Sequence, residues 1–158
     1  MKRIILAVIA TFSTIGAFAQ VDQNDLAVVQ AQFRKDKTEL VRQSLNLNDA
    51  QGKAFWPMYN EYETKRQHIS AQRAGIIGDY LKNYDTLTPA QASSLVNRSL
   101  ANDQEGLSLK RTYFSRFVEA IGGKNAAKFY QLETYIEGVV RLSVQDQIPF
   151  IGELKKKQ

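Results

Sequence analysis

Leu47-Asn48-Asp49-Ala50-Gln51 and Leu87-Thr88-Pro89-Ala90-Gln91 are one five-residue pattern written twice, forty positions apart. Each reads as the opening of a long helix. Asn48 and Thr88 are N-cap side chains, and the Gln three residues on, Gln51 or Gln91, reaches back to the N–H of the cap residue. Pro89 takes the first helical position, where a missing N–H removes no helical bond. Leu47 and Leu87 precede the caps as apolar anchors.

Outward from these starts, the apolar spacing is helical everywhere. Between Asp22 and Leu45 the positions Leu26, Val29, Phe33, Leu40 and Val41 share a face. From Asn48 to about Tyr84 the stripe runs through Phe55, Met58, Tyr59, Tyr62, Ile69, Ile76, Ile77 and Tyr80. Pro57 lies inside that stretch, removes one ladder bond, and is expected to bend the helix or divide it in two. A turn at Asp85-Thr86-Leu87 leads to a third helix, from Thr88 to about Ile121. Ala92, Leu95, Val96, Leu107, Phe114 and Phe117 are its apolar face, and Asn102-Asp103-Gln104-Glu105 is its polar middle. Gly122-Gly123 stops it. A fourth helix, Lys124 to Asp146, carries Phe129, Leu132, Ile136, Val139 and Val140, and Pro149 ends it. No segment alternates with period two, so the fold class is all-α. Two helices above thirty residues each span on the order of 50 Å, so the domain is elongated. Uncovered apolar surface on such hairpins leads us to expect a homodimer.

The ends of the chain read differently. Lys2 and Arg3 precede an apolar run from Ile4 to Ile15, and Ala17-Phe18-Ala19 has small residues where signal peptidase reads. Residues 1–19 are therefore expected to be a cleaved signal peptide. An uncleaved anchor is disfavoured by the shortness of the run and its Thr11, Ser13, Thr14 and Gly16. Residues 20–148 then form one helical domain, and residues 149–158 a basic tail ending in Lys155-Lys156-Lys157. The formal charge of +5 includes Lys2 and Arg3 and falls to +3 without them, too little to point to nucleic acid. The chain has no cysteine, so packing alone must hold it after export, and the bacterial periplasm fits best. No stable membrane insertion is expected after cleavage.

Chemistry is thin. His68 is the sole histidine and lies among Lys65, Arg66 and Arg73, as a solvent-facing residue would. No Ser or Cys triad, phosphate loop or zinc-type ligand cluster is legible, so no catalytic, cofactor-binding or metal residue is assigned. The pairs Glu61/Glu63 and Asp103/Glu105 stand two apart and read as solvated faces. The aromatic run Phe55-Trp56-Pro57-Met58-Tyr59-Asn60-Glu61-Tyr62 is mainly core by its spacing. Its alternative is a groove for an apolar polypeptide, bordered by recurring cations. On that reading Trp56, Met58, Tyr62, Lys65, Arg66, Arg73, Arg111 and Arg116 are the candidate client-binding residues.

With both helix starts in view, the chain resembles the LTxxQ-motif proteins, the Spy/CpxP-like family of periplasmic chaperones and stress modulators. Leu87-Thr88-Pro89-Ala90-Gln91 fits the motif fully, and Leu47-Asn48-Asp49-Ala50-Gln51 has Asn for Thr. Phe55-Trp56-Pro57-Met58-Tyr59 and Phe129-Tyr130-Gln131-Leu132-Glu133 resemble an uncharacterised exported branch with this layout. The resemblance implies a bent four-helix hairpin that dimerises into a curved cradle. It implies an ATP-independent chaperone or envelope-stress adaptor for unfolded or partner proteins. The alternative is a dedicated regulatory module binding one envelope sensor or anti-sigma system. Metal-responsive relatives carry His-rich segments, which this chain lacks. Leu47, Asn48, Gln51, Leu87, Thr88 and Gln91 carry over as structural caps.

Overall fold

The computed structural model describes residues 23–151, and their side chains from residue 32 on. The expected signal peptide, the side chains of Leu26 and Val29, and the terminal lysines lie outside the described residues. Four helices make up the fold, with no strand among the described residues: α1 (Gln23–Leu45), α2 (Asp49–Asn83), α3 (Pro89–Ile121) and α4 (Gly123–Gln145). A single 3-10 turn, Tyr84–Thr86, joins α2 to α3. The expected all-α, elongated hairpin arrangement is the one observed.

Both motifs form full capping boxes. Asn48 Oδ1 accepts from the Gln51 N–H at 2.9 Å, and Gln51 Oε1 accepts from the Asn48 N–H at 3.2 Å. Thr88 Oγ1 and Gln91 repeat the arrangement, with Pro89 at the start of α3. In the second box the Thr88 hydroxyl also donates to Gln91 Oε1 at 2.9 Å. Gln51 also donates its amide to Ile121 O at 3.2 Å, so the start of α2 is tied to the end of α3.

Two residues turn the chain where a left-handed backbone is required. Asn46, at φ 48°, closes α1 with its N–H on Arg42 O, a conformation asparagine tolerates better than most residues. Gly122, at φ 81°, donates to Val118 O and accepts from the Ala126 N–H. One glycine thus ends α3 and begins α4. Pro57 lies inside α2, which continues unbroken from Asp49 to Asn83; the division into two helices is not seen.

Successive helices run antiparallel. Lys37 meets Glu63 and Arg42 lies over Trp56 between α1 and α2. Arg98 meets Asp79 and Arg116 meets Glu61 between α2 and α3. Arg141 meets Asp103, and Tyr130 meets Phe114, between α3 and α4. The core occupies the end of the bundle far from the 3-10 turn. Val41, Leu45, Phe55, Tyr59, Tyr62, Tyr113, Phe117, Ile121, Ala126 and Phe129 form one buried cluster there. Phe117 is in ring contact with Phe55, Tyr62, Tyr113 and Phe129, at centroid distances from 4.9 to 6.1 Å, which favours tilted and edge-on pairs.

Toward the turn, burial fades. The buried residue there, among those described, is the polar Asn102, which donates to Ile69 O at 2.9 Å and to Gln72 Oε1 at 3.3 Å. The polar middle of α3 is therefore partly an interhelical lock. Asp103 joins it, accepting from both Arg73 and Arg141.

Candidate functional site

The eight candidate client-binding residues do not assemble into one open face. Tyr62 is buried in the core, and its hydroxyl donates to Glu133 Oε1 at 2.9 Å. A client cannot reach it in this conformation. Met58 and Trp56 pack against the same core, half-buried. Trp56 meets Phe55 and Tyr59 edge-on, and the Arg42 guanidinium covers its ring at 4.4 Å.

Most of the candidate cations are engaged within the chain. Arg66 donates to both oxygens of Glu63, and Arg73 pairs with Asp103. Lys65 and Arg116 both hold Glu61, at 2.9 and 3.0 Å, and both lie over the Tyr113 ring. Arg111 is exposed, and its side chain makes no ion pair with a described residue. The aromatic members of this set are thus largely internal structure, Lys65 and Arg116 face solvent in surface ion pairs, and Arg111 faces it without an ion partner among the described residues.

The sequence reading missed the most polar part of the interior. Lys37 of α1 places its ammonium 2.6 Å from Glu63 Oε1 of α2 and 2.6 Å from Glu133 Oε2 of α4, with all three side chains buried. The Glu133 contact is close but poorly angled for a hydrogen bond. Arg66 supplies the second positive charge, so two cations face two carboxylates. Burial on its own raises the Glu63 carboxyl, but the Lys37 ammonium and the Arg66 guanidinium outweigh it and hold the group below the usual carboxylate range. Burial first, and then the negative Glu133, push the Tyr62 hydroxyl far above the ordinary tyrosine range. Tyr59 is shifted the same way by burial and by Glu63. Glu63 is therefore an interior anion and not part of a solvated face. Its neighbour Glu61 is exposed, as its position predicted.

This cluster is a closed structural knot, with its charges matched inside. The cleft beside it, between α3 and α4, has room for about one water molecule. Tyr62, Tyr113, Phe117, Phe129 and Glu133 line it, with Lys110, Phe114 and Tyr130 toward the outside. His68 is exposed, 3.3 Å from the Gln72 amide. No group of three or more His, Asp or Glu side chains able to hold a metal occurs among the described residues. No described helix is long and apolar enough to cross a membrane.

What the surface does show is uncovered apolar area. On α3, Val96, Leu100, Leu107, Phe114 and Val118 are exposed. On α4 and the segment after it, Tyr130, Tyr135, Val140, Leu142, Phe150 and Ile151 are exposed. Single exposed apolar residues are ordinary, whereas a large contiguous apolar patch is what marks a contact surface. The segment after α4 is held against the turn end of α2, where the Tyr80 hydroxyl donates to Pro149 O at 2.7 Å and the Tyr84 hydroxyl to Phe150 O at 3.0 Å. Phe150 and Ile151 are thereby presented on the surface instead of trailing from it. No protein-family model matches the chain, and neither a characterised protein nor a solved structure matches it.

Proposed function

We propose that this protein binds other polypeptides without ATP, as a periplasmic chaperone or envelope-stress adaptor of the kind the helix-start motifs resemble. The observation that carries the reading is the exposed apolar series on α4 and the segment after it, from Tyr130 through Leu142 to Phe150 and Ile151. Exposed aromatic and aliphatic side chains, with Tyr135 and Leu142 seven residues apart on one face of α4, suit apolar stretches of an incompletely folded chain, where no single shape has to be matched. The export signal read at residues 1–19 supports action in the periplasm.

The test is binding of a fluorescently labelled, permanently unfolded polypeptide, followed by anisotropy with no nucleotide present. The mature chain is expected to bind it, and Tyr135→Ser with Leu142→Ser to weaken binding while circular dichroism stays unchanged, since both side chains are already exposed. Equal binding by the folded variant would overturn this placement of the client surface.

A further inference from the structure

Phe150 and Ile151 are the most exposed large apolar residues among those described, at 68% and 66%. Their backbone is nevertheless held. Tyr80 and Tyr84 stand one turn apart where α2 meets the 3-10 turn, edge-on at 5.7 Å, and their hydroxyls donate to Pro149 O and Phe150 O. Pro149 has no N–H to satisfy. The two apolar side chains therefore project from a stretch whose carbonyls already have donors. They can leave water without stranding those groups.

Positive charge follows in the sequence. Lys155-Lys156-Lys157 begin four residues after Ile151 and outnumber Asp146 and Glu153, the acids after α4. A residue of fully extended chain spans at most about 3.6 Å, so these lysines stay within about 22 Å of Ile151 whatever path the chain takes. At the same end of the bundle Lys82 balances Asp85, and Arg98 pairs with Asp79. The three lysines thus set the sign of this corner.

We propose that this corner docks on an anionic lipid bilayer, with Phe150 and Ile151 entering the headgroup boundary and Lys155, Lys156 and Lys157 meeting lipid phosphates. The chain lies on the bilayer and does not span it, since no described helix is long and apolar enough to do so. Two features favour a lipid surface over a protein partner. Two side chains on their own fall far short of the ~1,000 Å² that a specific protein interface buries, whereas a bilayer sets no shape to match. Apolar insertion and headgroup attraction also add there, each too weak to hold a protein alone. Docking is reversible and weakens with salt. The pair is the far end of the apolar series assigned to clients. Vesicle binding is measured with no client present and client binding with no lipid, so either reading can fail alone.

The test is co-sedimentation of the mature chain with vesicles of equal parts phosphatidylglycerol and phosphatidylcholine, against vesicles of phosphatidylcholine alone. Binding is expected on the anionic vesicles and to be at least about tenfold weaker on the neutral ones. Phe150→Ser with Ile151→Ser should weaken it by at least about tenfold, with circular dichroism unchanged because both side chains are already exposed. Replacing Lys155, Lys156 and Lys157 by Gln should remove the preference for phosphatidylglycerol. Because the chain has no cysteine, Ile151→Cys takes a single environment-sensitive dye, whose emission should shift to the blue on anionic vesicles. Indifference of the wild type to those vesicles, unchanged binding by the double serine variant, or a dye that stays in water would overturn the proposal. So would a lipid-free wild-type dimer that the double serine variant dissociates, which would assign the pair to a second copy.

Discussion

At Lys37 one ammonium stands between two buried carboxylates and ties α1 to both α2 and α4. Lys37→Met would leave Glu63 and Glu133 with only Arg66 between them. Because an uncompensated buried charge is costly, we expect about 3–5 kcal/mol of lost stability by urea unfolding. The pH dependence follows from the depressed Glu63 carboxyl. Its contribution is complete above the ordinary glutamate value of about 4.3. It is lost as pH falls below that value and through the lower folded pKa. Wild type should therefore lose stability between about pH 5 and pH 3 more steeply than Glu63→Gln. Parallel urea midpoints for the two proteins across that range would contradict the assignment. None of this knot was legible in the sequence. Glu63 and Lys37 are 26 positions apart, and Tyr62 and Glu133 are 71 apart. A reading of neighbours along one helix saw only Glu61 and Glu63 on opposite sides.

The helices themselves were legible because their signals are local. A cap and its glutamine are three residues apart, and both boxes close as the pattern predicts. Thr88→Ala should cost about 1 kcal/mol of stability. The equivalence of the two copies, by contrast, ends at the third dimension. Gln51 also holds Ile121 O across the bundle, so Gln51→Ala should destabilise the fold more than Gln91→Ala in the same thermal or urea measurement. The double glycine at the α3–α4 junction divides in a similar way. Gly122 has a positive φ that an alanine adopts only with strain, whereas Gly123 is helical with open space around its Cα. Gly122→Ala is expected to cost on the order of 1–3 kcal/mol. Gly123→Ala should be neutral or stabilising by up to about 1 kcal/mol. At Pro57 the sequence leaves open a bend or a division of the helix. The ring removes one ladder bond, but α2 is held on both flanks of it by Phe55 and Tyr59 in the core, and the helix continues without division.

Over the whole molecule, burial is concentrated at one end and polarity locks the other. The aromatic cluster and the ion knot fix the end where α1, α2 and α4 converge. Asn102, Asp103 and their partners hold the α2–α3 hairpin nearer the turn. The apolar residues left outside lie on α3, α4 and the segment after it. By sequence the aromatic run of α2 reads mainly as core, as Phe55, Tyr59 and Tyr62 are, with a binding groove only as the alternative. The concentration of apolar rings is what draws it into the core, and sequence periodicity does not say which of two apolar faces a neighbouring helix will cover. The measurement that tests the account most directly is light scattering from a denatured model protein diluted into buffer with the mature chain and no nucleotide. Suppression of aggregation near stoichiometric amounts is the predicted result. Undiminished aggregation in the presence of the folded protein would contradict it.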